Sequence, residues 1–190
     1  MLLLAMALAC AGHADPVAPG QLEVEGAVLS LSDGATVSVK RGTLDKETTV
    51  RAEDVVAKDG DLEIRAPRTE WDLKSRTAKL SGGVTARRGV VDIRCSEMVV
   101  TFSAPGRVST ATATGSVRIT HGDRAGTATK AVLSTVDGTI VLTGRPTLRD
   151  GANQMAGTQI TLHMDADKIT CDDCRLQIAS SAVTPGSPSP

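Results

Sequence analysis

The sequence predicts an all-β fold of long antiparallel strands, arranged as β-hairpin repeats of about 30 residues each. Three observations support this prediction: apolar and polar residues alternate, the alternating segments recur at fixed offsets, and turn-forming residues separate them. Alternation with a period of two is typical of a strand that buries one face. Between Thr48 and Ile178 no apolar stripe with the spacing of a helix is present.

An internal repeat relates the segments of this region to one another without a gap. Leu80-Ser81-Gly82 recurs as Leu142-Thr143-Gly144, at an offset of 62 residues. A half-period is also present, because Ile64-Arg65 recurs as Ile93-Arg94 at an offset of 29. Such offsets indicate one hairpin used repeatedly, with its apolar faces forming a continuous inner surface. A globular sandwich is the alternative; it would explain the alternation but not the offsets.

Equivalent positions of the repeats form columns, and each column predicts which face of the sheet its members occupy. One column is apolar throughout: Trp71, Val100, Leu133 and Leu162. A neighbouring column is polar throughout: Asp72, Thr101, Ser134 and His163. The predicted inner-face residues, which are also the candidate lipid contacts, are Trp71, Leu73, Leu80, Val84, Ile93, Met98, Val100, Phe102, Val117, Ile119, Leu133, Ile140, Leu142, Ile160, Leu162 and Met164. The alternative for any one of them is a place in a closed, packed core.

Glycines mark both the turns and the middles of the predicted strands. Turns are expected at Arg88-Gly89, His121-Gly122-Asp123, Asp137-Gly138 and Asp150-Gly151. Gly82, Gly115 and Gly144 interrupt strand segments, which predicts bulges or sharp bends there.

The two ends of the chain differ in composition from the repeat region. Residues 1–14 carry an apolar run followed by small residues, which predicts a secretory signal peptide cut before Asp15. Lipidation at Cys10 is a less favoured alternative, because Ala7 stands where a lipoprotein signal usually has Leu. Residues 15–178 are predicted to form one β-domain. Residues 179–190 are rich in Ser and Pro and are predicted to be a disordered tail.

Charge and composition narrow the classes of function. The 190 residues carry 21 basic and 22 acidic side chains, so there is no basic excess for a nucleic-acid partner and no general attraction to anionic membranes. The chain has one Phe, one Trp and no Tyr, so the apolar surface must be mainly aliphatic. The apolar run from Met1 to Ala11 is too short to span a bilayer, and no other segment is expected to be a transmembrane helix.

The sequence predicts that the protein is not an enzyme and that it has no cofactor or metal site. Of its three histidines, His13 lies in the signal, His121 in a turn and His163 in the polar column, so no catalytic triad can be assembled. Arg87, Arg88 and Arg145 are candidates for contact with lipid phosphates, with ordinary solvated charge as the alternative.

The cysteines predict one local disulfide and one inert thiol. Cys171 and Cys174 flank two aspartates in a strand–turn–strand context, where an oxidising compartment favours a disulfide. Free thiols are the alternative, and a second CxxC that would complete a zinc site is absent. Cys95 occupies a small-residue position and is predicted to be buried.

Several of these segments together resemble the OstA-like family of periplasmic lipopolysaccharide-transport proteins. The resemblance rests on residues 142–148 (LTGRPTL), 151–153 (GAN) and 156–160 (AGTQI), with support from 113–117 (ATGSV) and Trp71-Asp72. It covers roughly Thr48 to Cys174. It implies a twisted, open β-jellyroll of long antiparallel strands.

The same resemblance implies the function. Acyl chains of lipopolysaccharide (lipid A) would sit in the apolar interior, and the protein would pass this cargo from the inner to the outer membrane. Its partners would be other OstA-like proteins at both membranes and, by head-to-tail association, further copies of itself. The lack of a transmembrane helix favours the soluble, LptA-like bridge members of the family. A structural or adhesive β-repeat protein of the envelope, without lipid cargo, is the alternative.

Overall fold

All elements that the structure describes are β-strands. It is a computed structural model, and it describes residues 21–30, 36–45, 48–104, 107–164 and 168–178. No helix in these ranges is long and apolar enough to cross a membrane. The strands are β1 (Gln21–Ser30), β2 (Thr36–Asp45), β3 (Thr49–Asp59), β4 (Leu62–Asp72), β5 (Thr77–Arg88), β6 (Val91–Ala104), β7 (Arg107–His121), β8 (Arg124–Ser134), β9 (Thr139–Thr143), β10 (Thr147–Asp150), β11 (Asn153–Ala156), β12 (Gln159–His163), β13 (Lys168–Asp172) and β14 (Arg175–Gln177).

These strands form one antiparallel sheet in sequence order, which divides at its C-terminal end. From β1 to β8 each strand pairs with the next, so the predicted repeat of hairpins is confirmed. Beyond β8 the sheet splits into two branches, β10–β11–β14 and β9–β12–β13. The predicted turns at Gly89, Gly122, Gly138 and Gly151 all lie between consecutive strands.

A line of irregular pairing crosses the middle of the long strands and divides the sheet into two halves. The register shifts between Arg65 and Arg68, between Ser81 and Val84, and between Thr114 and Val117. Gly82 and Gly115 lie on this line with φ of +93° and +78°, as expected for bulges. The first half-sheet comprises 55–59, 62–66, 84–88, 91–95, 117–121, 124–128 and strands β10, β11 and β14. The second half-sheet comprises 41–45, 49–53, 68–72, 77–81, 97–102, 108–114, 130–134 and strands β9, β12 and β13.

The broken strands of the C-terminal branches show why the bends need glycine. Gly144 separates β9 from β10 with φ of +78°, and a Cβ added to it would lie 2.6 Å from the Thr129 Cβ. Gly157 separates β11 from β12, and a Cβ there would lie 2.5 Å from the Asp172 carbonyl oxygen. Neighbouring strands therefore approach these two positions too closely for any side chain.

The apolar column of the repeat is a row of laterally paired residues on the inner face. Trp71, Val100, Leu133 and Leu162 lie on every second strand of one ladder, and Ala78, Ala111 and Ile140 lie between them. The polar column lies one position further along the strands and therefore points to the opposite face. The fold consequently buries one continuous aliphatic face, with Leu142 and Ile160 0% exposed.

Replacing Leu142 by Ala should lower the free energy of unfolding by about 2–5 kcal/mol, because it leaves a cavity in a fully packed site. Val99 lies on the outer face and is 40% exposed, so Val99→Ala should change stability by less than about 1 kcal/mol. Urea denaturation followed by circular dichroism measures both. Equal losses for the two variants would contradict the assignment of inner and outer faces.

Candidate functional site

The two half-sheets face each other across an apolar interior that is not filled at its N-terminal end. A cavity of about 120 Å³ lies there, between β2, β3 and β4 on one side and the starts of β5 and β7 and the end of β6 on the other. Its lining is mostly apolar and includes Val39, Val50 and Val55. Apolar cavities of this size stay dry and accept apolar ligands.

A second apolar cavity of about 50 Å³ continues the first one into the protein. The two share Leu62, Ile64, Val100 and Val108 as lining residues. Leu62 begins β4 in the first half-sheet, whereas Val108 lies near the start of β7 in the second half-sheet. The two cavities therefore adjoin each other, and residues from both half-sheets line both of them.

The cavity also separates two clusters of buried side chains. The small N-terminal cluster consists of Val39, Ala52 and Val55, and all three line the larger cavity. The main cluster contributes Leu80 and Val100 to the opposite wall. The N-terminal strands are thus joined to the rest of the molecule by sheet hydrogen bonds, with a gap where a continuous core would lie.

The aromatic pair of the described chain stands in the wall of this cavity. The rings of Trp71 and Phe102 are stacked, with centroids 5.4 Å apart and planes 19° apart. Trp71 is paired with Val50 on β3, and both residues line the cavity. Trp71 is therefore an optical probe located at the site itself.

Few polar side chains line the cavity, and the charged ones lie at one end of β3. Lys58 and Asp59, at the end of β3, are the charged residues among those that line it. Thr69 also lines it, and Thr69 Oγ1 is a buried oxygen without a hydrogen-bond partner among the described residues. A polar group on a ligand would supply that missing partner.

The predicted inner-face residues divide into two groups in the structure. Those that line one or both cavities are Trp71, Leu80, Ile93, Met98, Val100, Phe102, Leu133 and Ile140. The others pack into the closed core toward the C-terminal end or against it: Val84, Val117, Ile119, Leu142, Ile160, Leu162 and Met164. The interior is therefore unfilled toward the N-terminal end and closely packed toward the C-terminal end, a difference that the alternation of apolar and polar residues does not reveal.

The assignment of Leu73 to the inner face is wrong. Strand β4 ends at Asp72, so Leu73 begins the turn to β5 and is 48% exposed. Its amide donates a hydrogen bond to the Thr48 carbonyl oxygen, so the backbone is still paired with the start of β3 although the side chain is exposed. The alternation that placed it inside stops one residue earlier than the sequence suggested.

Sequence reasoning missed the lining residues of β2, β3 and the start of β4. They are Val37, Val39, Val50, Ala52, Val55, Ala57, Leu62 and Ile64. Alternation at Val37 and Val39, and again at Val50 and Ala52, was a usable signal. In β2 and β3 it was overlooked because these strands have no clear counterpart in the columns of the repeat, whereas Ile64 was missed although its repeat equivalent Ile93 was assigned to the inner face.

The cysteines lie away from the cavities, in two different settings. Cys171 and Cys174 are joined in the structure, with Cα atoms 5.8 Å apart, at the break between β13 and β14. Cys95 is a free, buried cysteine, and desolvation by burial raises its pKa from 9.0 to about 11. Its thiol is therefore almost wholly protonated at neutral pH and unreactive.

The other residues singled out by the sequence do not gather into a site. His121 ends β7 beside the predicted turn, and His163 points to the outer face of β12. Arg145 is exposed at the break between β9 and β10. In the ranges that the structure describes, no three His, Cys, Asp or Glu side chains come together as metal ligands do.

A family model decides the relationship of this chain to known proteins. The model for the LptA/(LptD N-terminal domain) LPS transport protein family matches residues 63–168, which is more than half of the 190 residues. The chain belongs to this family. The matched range covers the strands from β4 to β12 and thus most of the interior lining.

A solved structure supports the fold. It is LptH, described as the LptA-homologous periplasmic component of the lipopolysaccharide transport device of Pseudomonas aeruginosa. The TM-score is 0.55 at 13% identity, over 68% of this chain and 90% of LptH. This likeness confirms the predicted β-jellyroll. Among curated proteins no match is found.

Thiol titration checks the cysteine assignment in protein that begins at Asp15. We expect one reactive thiol, Cys95, under denaturing conditions without reductant, because Cys171 and Cys174 are paired. In the folded protein at pH 8, Cys95 should react at least about 100-fold more slowly, since a pKa of about 11 rather than 9.0 lowers its thiolate fraction by that factor. Three reactive thiols after unfolding would contradict the disulfide.

Proposed function

We propose that this protein is a periplasmic carrier that holds lipopolysaccharide by its acyl chains and passes it from the inner to the outer membrane. The observation that carries the proposal is the unfilled apolar cavity between two core clusters, in a member of an LPS transport family. Acyl chains in this cavity would complete the core that the protein leaves open.

The chemistry of the lining supports an acyl ligand. Burial of an acyl chain contributes about 0.8 kcal/mol for each CH₂ group and needs no directional contact. Thr69 Oγ1 would accept or donate one hydrogen bond to an ester or hydroxyl group of the lipid. Lys58 at the margin of the cavity would face the polar head group.

The edges of the sheet support transfer along a series of similar proteins. Among the described strands, β1 pairs only with β2, and at the other end β13 and β14 each pair with a single strand. Such edges present unpaired backbone groups to which another strand can add. We propose that copies of this chain associate head to tail and that OstA-like proteins at the two membranes use the same edges.

Export to the periplasm is part of the proposal. It needs residues 1–14 to act as a signal peptide, with residues 15–178 as the folded domain and residues 179–190 as a tail. Residues 1–20 and 179–190 lie outside the described ranges. The apolar run and small residues before Asp15 support export, and lipidation at Cys10 remains the less favoured form of it.

The fluorescence of Trp71, which lies in the wall of the cavity, should report directly on bound lipid. Adding lipid A-type lipid to delipidated protein should shift Trp71 emission toward shorter wavelength, because acyl chains packed against the half-buried indole ring exclude the solvent that reaches it. Val108→Asp should weaken binding more than tenfold, since a charge facing acyl chains costs several kcal/mol. Fluorescence titration measures the affinity, and native mass spectrometry shows the bound lipid and any ladder of oligomers.

Val136→Asp is the matched control, because Val136 is 81% exposed in the turn between β8 and β9. It should bind lipid as the unaltered protein does. If delipidated, folded protein shows no response and no bound lipid, the carrier proposal fails and the structural or adhesive envelope role replaces it. Equal losses in both variants would show that the cavity is not the binding site.

A further inference from the structure

The outer face of the first half-sheet is strongly basic, although the chain as a whole is not. Two adjacent rows of outward-facing side chains cross nine strands, from β3 to β14, in continuous register. Among the described residues these rows hold seven basic and two acidic side chains. Strands lie about 4.8 Å apart, so the rows extend roughly 40 Å across the sheet.

The acidic side chains of this face are each shared by two basic ones. Glu63 Oε1 lies 2.6 Å from Arg65 Nε, and Glu63 Oε2 lies 3.4 Å from Lys58 Nζ. The hydrogen bond from Arg65 lowers the pKa of Glu63 and keeps it ionised. Since each cluster has two cations for one carboxylate, it retains one positive charge.

The second cluster repeats this arrangement on the next hairpin. Asp92 Oδ2 lies 2.5 Å from Arg87 Nε, and Asp92 Oδ1 lies 3.1 Å from Arg94 Nε. Desolvation by burial raises the pKa of Asp92, but the hydrogen bonds from the two arginines outweigh it and lower the pKa overall. This carboxylate is therefore ionised as well, and one positive charge again remains.

The remaining basic residues of the two rows have no acidic partner within the described ranges. They are Arg118, Arg149 and Arg175 on β7, β10 and β14. Arg118 stands directly opposite Arg94 on the neighbouring strand, which adds a second basic group beside the one that Asp92 shares with Arg87. The face as a whole carries an excess of five positive charges.

The excess is specific to this face. The two corresponding rows of the second half-sheet, on the other side of the bend, hold five basic and four acidic side chains. Cross-strand pairs such as Arg41–Glu53, 3.4 Å apart, neutralise much of that surface. The segregation therefore follows the bend of the sheet and is not a property of the composition.

The turns that border the basic face do not cancel its charge. These turns and the strand ends beside them carry Asp59, Asp61, Asp123 and Asp150 together with Arg88 and Arg124. Two of these aspartates are already paired within the border, Asp61 with Arg88 at 3.3 Å and Asp150 with Arg124 at 3.0 Å. With the border included, basic side chains still outnumber acidic ones by nine to six.

We propose that this face docks on an anionic lipid bilayer, with its Lys and Arg side chains on the phosphate head groups. The charges are spread in two rows across a sheet face rather than gathered in one pocket, as suits an extended array of head groups. The face is also continuous with the cavity, because Lys58 begins one of its rows and lines the cavity. A docked protein therefore holds its acyl-binding interior beside the membrane, a consequence that rests on the proposed function.

Co-sedimentation with vesicles tests the docking face in the full folded protein. The unaltered protein should bind vesicles of phosphatidylglycerol and phosphatidylcholine, bind pure phosphatidylcholine vesicles weakly or not at all, and lose binding at high salt. The double variant Arg94→Gln/Arg118→Gln should weaken binding roughly 10- to 30-fold, because each basic residue near an anionic surface contributes about fivefold. The double variant Arg41→Gln/Arg68→Gln, on the other outer face, should bind within twofold of the unaltered protein.

Circular dichroism and thermal unfolding establish whether each variant is folded. If Arg94→Gln/Arg118→Gln is not folded, the double variant Arg149→Gln/Arg175→Gln takes its place. Equal binding to neutral vesicles, or equal losses for the two double variants, would overturn the proposal. Competition by heparin at equal charge as strong as that by anionic vesicles would also overturn it, in favour of a soluble polyanion. The Trp71 response to lipid should persist in Arg94→Gln/Arg118→Gln, and vesicle binding should persist in Val108→Asp, so failures of the two proposals remain distinguishable.

Discussion

The structure depends on one constraint: the aliphatic inner face of a single bent sheet must be covered. Toward the C-terminal end the two half-sheets cover each other, and residues such as Leu142 and Ile160 are completely buried. Toward β2 and β3 the same two faces leave a gap, lined by Val39 and Val55 on one wall. The apolar interior of the open jellyroll is therefore closely packed at its C-terminal end and unfilled at its N-terminal end.

This asymmetry relates the fold to transport. A ligand that fills the gap replaces contacts that a closed β-sandwich would make internally, so binding and completion of the core are the same event. The ladder hydrogen bonds hold β2 and β3 in place without it. An aliphatic lining of this kind distinguishes ligands by apolar volume and shape rather than by precise polar contacts, as suits acyl chains.

The face of each residue within the repeat followed from sequence, because the strand period and the turn glycines were regular there. Trp71, Val100, Leu133 and Leu162 lie in one row as the alignment of repeats required. The extent of the cavity did not follow, since alternation is the same for a residue that lines a gap, such as Val100, and for one in solid core, such as Leu162. The assignment of Leu73 to the inner face was wrong because alternation does not show where a strand ends.

The distribution of charge over the outer faces of the sheet was the other property that could not be predicted from the sequence. A balance of 21 basic and 22 acidic residues predicted no attraction to an anionic surface, yet the register sets seven basic side chains on one outer face. Register depends on the positions of the bulges, which shift the pairing by a residue or more, for instance between Ser81 and Val84. A composition average carries no information about which strand positions become neighbours.

Hydrogen–deuterium exchange with and without bound lipid A-type lipid tests the central claim most directly, because each strand reports on the part of the interior that it lines. Added protection is expected in β2, β3 and β4, where lipid joins the two core clusters, with little change in β10 and β12, where no residue lines either cavity. Protection confined to β10 and β12, or none anywhere at saturating lipid, would contradict this expectation.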